Sequence, residues 1–246
     1  MLLTLALTIL LPLPAPALAD LGADERIGDE TAYEALLDEY EDTYDVWREE
    51  LQAAEDSKGR RAVRKRHPAP IFRPRFEGLA DAGSGRSLVW LITNASKLEK
   101  RKQAAGLKAG CYDRLWASHL DAKWFGEVIT MYTKERRDVD ALTIEATLAD
   151  ALERAEGDAR ARVLLGLARY RLAGKCNSGL EFYKQVLEEH PDSAAAKVAQ
   201  VEYDRLTKFA IGAVPPEFKG KTIDGEEITL YGHRGKVTVV DFWGFW

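Results

Sequence analysis

Two thiols, Cys111 and Cys176, are the most nucleophilic side chains in this 246-residue chain. A thiolate can attack a disulfide or bind a soft metal, whereas a protonated, buried thiol behaves as a small apolar group. The two cysteines fall in different helical patterns. A bond between them requires a fold that brings their Cα atoms to about 4.4–6.8 Å, and two small buried thiols is the expected state. No Cys-x-x-Cys, no His-x-x-x-His and no acidic run with metal-ligand spacing occurs. His67, His119, His190 and His233 stand singly and are read as surface or core residues rather than ligands. No residue up to Trp246 is therefore assigned a catalytic, cofactor-binding or metal-binding role, and no cofactor is expected.

Composition narrows the class. Hydrophobic residues make up 46% and charged residues 30%, a globular balance that favours neither a disordered nor a membrane-embedded chain. The net charge of −5 argues against a nucleic-acid partner, which requires a clustered positive surface. One local exception is the basic run Lys58 to His67, with Arg60, Arg61, Arg64, Lys65 and Arg66, read as a solvated linker or helix end. Residues 2–19 are apolar, broken by Pro12, Pro14 and Pro16, and end in Ala17-Leu18-Ala19 before Asp20. That pattern predicts a signal peptide over residues 1–19, not a stable membrane span, and places the protein outside the cytoplasm, periplasmic or extracellular. Left uncleaved, the same segment would hold the chain at a membrane.

The elements that must position any site are mostly helical. Tyr33, Leu37, Tyr40, Tyr44, Trp47, Leu51 and Ala54 recur at spacings of four and three and form one buried stripe, with Thr31 and Glu34 as a capping box at the helix start. The Gly and Pro residues of 57–87 predict a connector with at most a short helical piece around Phe76 to Ala80. Leu88, Leu91, Ile92, Ala95 and Leu98 mark the next helix, and Leu115, Trp116, His119, Leu120, Phe125, Val128, Ile129 and Tyr132 one or two more. Leu142, Ala146, Ala149 and Leu152 continue the periodicity to Gly157, placed for a left-handed stop.

From Asp158 to Pro191 the chain resembles a single tetratricopeptide unit: Leu165-Gly166 and Tyr170 in the first helix, Phe182 in the second, Pro191 at its end. The small residue early in the second helix is supplied by Ser178 or Gly179. Asp192 then caps a third helix carrying Ala195, Val198, Ala199, Val201, Tyr203 and Leu206. Such helix pairs bury their apolar faces between neighbours.

The period changes after Lys208. A turn at Asp224-Gly225 separates short β-type segments, with Ile228 and Leu230 alternating against Thr229. Val237 to Phe242 is a β-branched run that reads as a buried strand, although a strand without neighbours would expose bare edges and dock or disorder. The order Gly212-x-x-x-Pro216-x-Phe218, Asp224-Gly225, Ile228-Thr229-Leu230, Arg234-Gly235-Lys236-Val237 and Val239-Val240-Asp241-Phe242-Trp243-x-x-Trp246 resembles the opening of the redoxin and thiol-specific-antioxidant superfamily. The Phe-Trp-x-x-Trp run is more similar to exported thiol:disulfide reductases of the TlpA type than to peroxiredoxins.

The resemblance implies a thioredoxin-like α/β domain whose Cys-x-x-Cys follows Trp246, the first thiolate stabilised by a helix N-terminus and the second resolving the mixed disulfide. The expected organisation is mainly α: a signal peptide at 1–19, a helical domain at 27–208 with a tetratricopeptide-like hairpin, and a thioredoxin-like fragment at 209–246 made of a hairpin plus one strand. The implied function is thiol:disulfide exchange on protein substrates, with residues 1–246 inactive without the reacting pair. A UGA codon after Trp246, read as selenocysteine, is the expected continuation. The alternative is a helical interaction module without redox chemistry.

Overall fold

The computed structural model describes residues 23–176, 178–208 and 211–241. The expected signal peptide at 1–19 and the aromatic run from Phe242 to Trp246 lie outside them. The described chain is mainly helical, with ten α-helices, one two-stranded sheet and a short 3-10 turn. Packing divides it into two units at Leu120–Asp121. No helix among the described residues is long and apolar enough to cross a membrane.

The first unit contains α1 (Ala23–Ala53), α2 (Ser57–Arg64), α3 (Ala69–Asp81), α4 (Gly85–Leu98) and α5 (Arg101–Ser118). Helix α1 begins eight positions before Thr31, so the expected capping box lies inside it. The lone Gly28 costs only about 1 kcal/mol in helix propensity. Of the expected stripe only Tyr40 is buried; Tyr33, Leu37, Tyr44, Trp47, Leu51 and Ala54 are half-buried, and Leu36 is the second buried position. The helix is therefore covered along one edge, by α2, α3 and α4, rather than enclosed.

Residues 57–87, expected as a connector, are largely helical. Asp56 caps α2 by accepting from the Gly59 amide at 2.6 Å. Pro68 and Pro70 stand at the start of α3, where the missing amide hydrogens have no partner in any helix. Pro74 lies inside α3 and removes one backbone bond, but Phe72 and Phe76 are buried on either side of it. At the far end the Ser84 amide bonds to the Leu79 carbonyl and the Ser84 hydroxyl accepts from Ser87, so one residue closes α3 and caps α4. Here proline and glycine mark helix ends, not the absence of helices.

What holds α3 helical is an aromatic core. The Phe76 ring stacks on Trp90 of α4 with centroids 3.8 Å apart and planes 14° from parallel. Tyr40 sets its edge against Trp90 at 5.1 Å and Phe72 at 5.5 Å. Its hydroxyl donates to Asn94 Oδ1 at 3.1 Å, and burial pushes its pKa up to about 12. The Trp47 indole N–H donates to the Val63 carbonyl at 2.8 Å, tying α1 to α2.

The second unit contains α6 (Phe125–Tyr132), α7 (Ala141–Arg154), α8 (Gly157–Ala173), α9 (Gly179–Glu189) and α10 (Ala194–Thr207). Helix α8 packs against the other four. Helix α7 exists where expected but turns a different face inward: Ile144, Leu148 and Ala151 are buried, whereas Leu142, Ala146 and Ala149 are exposed. Leu142 follows the cap, Asp140, whose carboxylate accepts from the Leu142 and Thr143 amides. Gly157 does take a positive φ of +49°, but as the first residue of α8.

Helices α8, α9 and α10 form the expected stack around Leu164, Ala168, Tyr183, Val186 and Ala199. Gly179 is the small residue at the crossing: a Cβ there would lie 2.7 Å from the Ala168 carbonyl oxygen. The cap of α10 is Ser193, which accepts from Ala196 at 3.0 Å, and not Asp192. Val198 and Val201, expected as core, face solvent.

Beyond α10, β1 (Lys219–Lys221) and β2 (Glu227–Thr229) pair antiparallel with Gly220 opposite Ile228. The turn between them is closed by the Gly225 amide on the Thr222 carbonyl, with Gly225 at φ +84°, as Asp224-Gly225 predicted. Residues Val237 to Asp241 form no strand, and Val237 is 98% and Val239 87% exposed. A strand becomes buried only through neighbours on its edges and faces, and the two-stranded sheet is complete without it.

Candidate functional site

The C-terminal segment is built around Tyr231, in the 3-10 turn Tyr231–His233 that follows β2. Its amide donates to both carboxylate oxygens of Glu217 at 3.1 Å, and its hydroxyl donates to the Pro215 carbonyl at 3.0 Å. The Arg234 guanidinium lies 3.8 Å from the ring centroid. These contacts tie the Pro215–Glu217 entry to the end of the hairpin, so the motif elements from Pro215 to Arg234 form one local structure. The position after Trp246, where the resemblance puts a reacting thiol, lies beyond the described residues.

The two cysteines have opposite environments, and both are free thiols. Cys111 is buried in α5, and loss of hydration pushes its pKa up to about 11, the nearby Arg114 charge only partly opposing the shift. Cys176 is exposed, which corrects the expectation of two buried thiols. It lies in the connection between α8 and α9, where Lys175 takes a left-handed φ of +61° and the Cys176 amide bonds back to the Arg171 carbonyl. Its sulfur is 3.0 Å from the Ser178 hydroxyl, which also accepts from Arg171 at 3.2 Å. That hydroxyl, then the Ser178 amide and the Arg171 charge, hold the thiol below its ordinary pKa.

A thiol-labelling experiment separates the two. With a disulfide reagent at pH 8, Cys176 is expected to react at least about 100-fold faster than Cys111, whose labelling waits for unfolding. Cys176→Ser should remove the fast phase, and equal rates for both thiols would contradict the assigned environments.

The histidines do not converge. His67 packs its ring against Trp47 at 4.6 Å and accepts from the Ala69 amide through Nδ1, and burial lowers its pKa. His119 is half-buried, its pKa lowered by burial and by Arg114. His233 turns Nδ1 to the Thr229 carbonyl at 3.1 Å. Among the described residues no group of three His, Cys, Asp or Glu side chains could hold a metal ion.

Sequence reasoning missed a charged network in the helical stack. Arg169 of α8 donates to both oxygens of Glu202 of α10, at 2.9 and 2.6 Å, and the buried Tyr183 hydroxyl of α9 donates to the same carboxylate at 2.7 Å. No local pattern links positions this far apart, although each lies on a helix the spacing did identify.

No protein-family model, curated protein or solved structure matches this chain. The network can therefore be read only from its own geometry, which is structural: one carboxylate fastens three helices. Arg169, then Tyr183, holds the Glu202 carboxyl below the usual carboxylate range, against the opposing effect of burial. A lowered folded-state pKa stabilises above the unfolded value of about 4.3, and the stabilisation disappears as pH falls through the folded value. Glu202→Gln is accordingly expected to cost about 1 kcal/mol at pH 7, discounted for its partial exposure. The gap to the parent protein in urea midpoint should close below about pH 4; a gap independent of pH would sink the account.

Proposed function

We propose that residues 211–241 are the entry segment of a redoxin-type thiol:disulfide reductase domain and that the helical units are its N-terminal extension. The observation that carries this reading is the ordered series from Gly212 to Asp241, supported by the hairpin at 219–229 with its Asp224-Gly225 turn. Its reacting pair, Cys-x-x-Cys or selenocysteine-x-x-Cys, would follow Trp246. There the leading thiolate or selenolate attacks a substrate disulfide, one substrate sulfur leaves as thiolate, and the second cysteine displaces the other from the mixed disulfide. The substrates are protein disulfides, and the leader at residues 2–19 supports an exported location.

The coding DNA past the Trp246 codon tests the reading. It expects either a cysteine codon or TGA, with a cysteine codon three positions later. A continuation lacking the second cysteine and further β-type segments would overturn it. Residues 1–246 alone are expected to reduce insulin no faster than buffer with dithiothreitol. Cys111 is buried with a raised pKa, and Cys176 is the single cysteine of the second unit, without a resolving partner there.

A second reading, a helical interaction module acting without redox chemistry, is favoured by the α8–α10 stack. It expects no reacting pair after Trp246.

A further inference from the structure

Between α6 and α8 runs a groove of about 370 Å³, within the range of small-ligand sites. Ile129, Gly166 and Ala173 give it an apolar floor. The Ile129 side chain packs directly onto Gly166 and closes the floor there, since a Cβ on Gly166 would lie 2.3 Å from the Ile129 Cγ2 methyl.

The polar atoms around that floor are committed in one direction. Thr130 donates its hydroxyl to the Gly126 carbonyl at 2.9 Å, Thr133 to the Thr130 carbonyl at 3.1 Å, and Tyr170 to the Ala141 carbonyl at 3.3 Å. The donors left over are cationic. Lys134 and Arg136 line the groove with no carboxylate partner among the described residues, and no carboxylate lines it. Arg169 also lines it, but its charge is spent on Glu202. The Arg136 guanidinium carbon lies over the Tyr170 ring, 5.1 Å from its centroid, a cation–π contact that restricts the side chain.

Both helices turn their C-terminal halves to the groove, and each helix end carries about half a negative charge. Two unneutralised cations outweigh that field. Two cationic donors beside an apolar floor suit a ligand that is an anionic acceptor at one end and apolar at the other.

We propose that this groove binds a carboxylate carried on an apolar body, with the anion between Lys134 and Arg136 and the body on Ile129, Gly166 and Ala173. The carboxylate could belong to a free organic acid or to the C-terminus of a peptide ending in an apolar residue. The site is independent of the redox reading and stands whether or not a reacting pair follows Trp246.

Titration of the full chain with 3-phenylpropanoate, followed by amide NMR, tests it. The expected result is a shift of the Thr133 and Gly166 amides with a Kd on the order of 1 mM, as suits about ten non-hydrogen atoms. The uncharged analogue 3-phenylpropanamide should bind at least about 10-fold more weakly. Lys134→Gln and Arg136→Gln, both at exposed positions, should each weaken the acid to the level of the amide, while Lys184→Gln on α9 leaves it unchanged. A peptide Ala-Ala-Leu-Phe with a free carboxylate, run against its C-terminal amide, separates the sources. Tighter binding of the peptide acid assigns peptide ends, and tighter binding of phenylpropanoate assigns free acids. Equal binding of acid and amide, or shifts that leave Thr133 and Gly166 unmoved, would overturn the proposal.

Discussion

Replacing Phe76 with alanine is expected to lower the unfolding free energy by about 3–5 kcal/mol, read from urea denaturation followed by circular dichroism. The ring is fully buried, stacks on Trp90, and receives the edges of Tyr33 at 6.1 Å and Tyr40 at 6.3 Å. Alanine removes its apolar contacts and leaves a cavity between α1, α3 and α4 that stiff aromatic neighbours cannot close. Each lost ring pair adds about 0.5–1.5 kcal/mol beyond area burial, part of the quoted total. Phe76→Leu keeps most of the volume and should cost only about 1–1.5 kcal/mol. The near-ultraviolet signal of Trp90 should fall in the alanine variant before any denaturant is added. A loss below about 1 kcal/mol for Phe76→Ala would mean that the stack does not hold α3 against α4.

Gly179→Ala should also destabilise, by about 1–3 kcal/mol, although alanine is the better helix former by about 1 kcal/mol. The added methyl would lie 2.6 Å from Leu172 Cγ, 2.7 Å from the Ala168 carbonyl oxygen and 3.0 Å from the Leu172 amide nitrogen. A side chain could rotate away, but two of the three are backbone atoms of α8, so α9 must move off its neighbour. Gly110→Ala is the matched control: it sits inside α5 with open space around its missing Cβ, and there the propensity gain should appear unopposed. Stabilisation at both positions would show that α8 and α9 do not approach this closely.

How much was legible varied from helix to helix for physical reasons. In α4 the expected Leu88, Leu91, Ile92 and Ala95 are buried and Leu98 is half-buried, while Trp90, outside that spacing, is buried by its stack on Phe76 of α3. In α7 both Leu142 and Ile144 are apolar, and two faces compete. Packing on α8 selects Ile144, Leu148 and Ala151, a choice that no count of residues within α7 contains. The stretch 57–87 was misread because proline is harmless in a first turn and disruptive later, and the aromatic burial that keeps Pro74 helical involves α1 and α4. Val237 to Asp241 has strand composition but lacks the edges that make a strand. As for the groove, Lys134 and Arg136 are ordinary charges in sequence; the apolar floor beside them comes partly from α8, some thirty positions later.

The helices outside 57–87, the hairpin turn at Asp224-Gly225 and the motif order from Gly212 to Asp241 follow from the string of residues, since each depends on neighbours within a turn or two. Which face of α7 is inside, which thiol is exposed, how Glu202 fastens three helices and where Lys134 and Arg136 meet an apolar floor depend on residues brought together from distant positions. Local propensity reaches about four residues along a helix, whereas burial and charge pairing are set by whatever the folded chain places alongside.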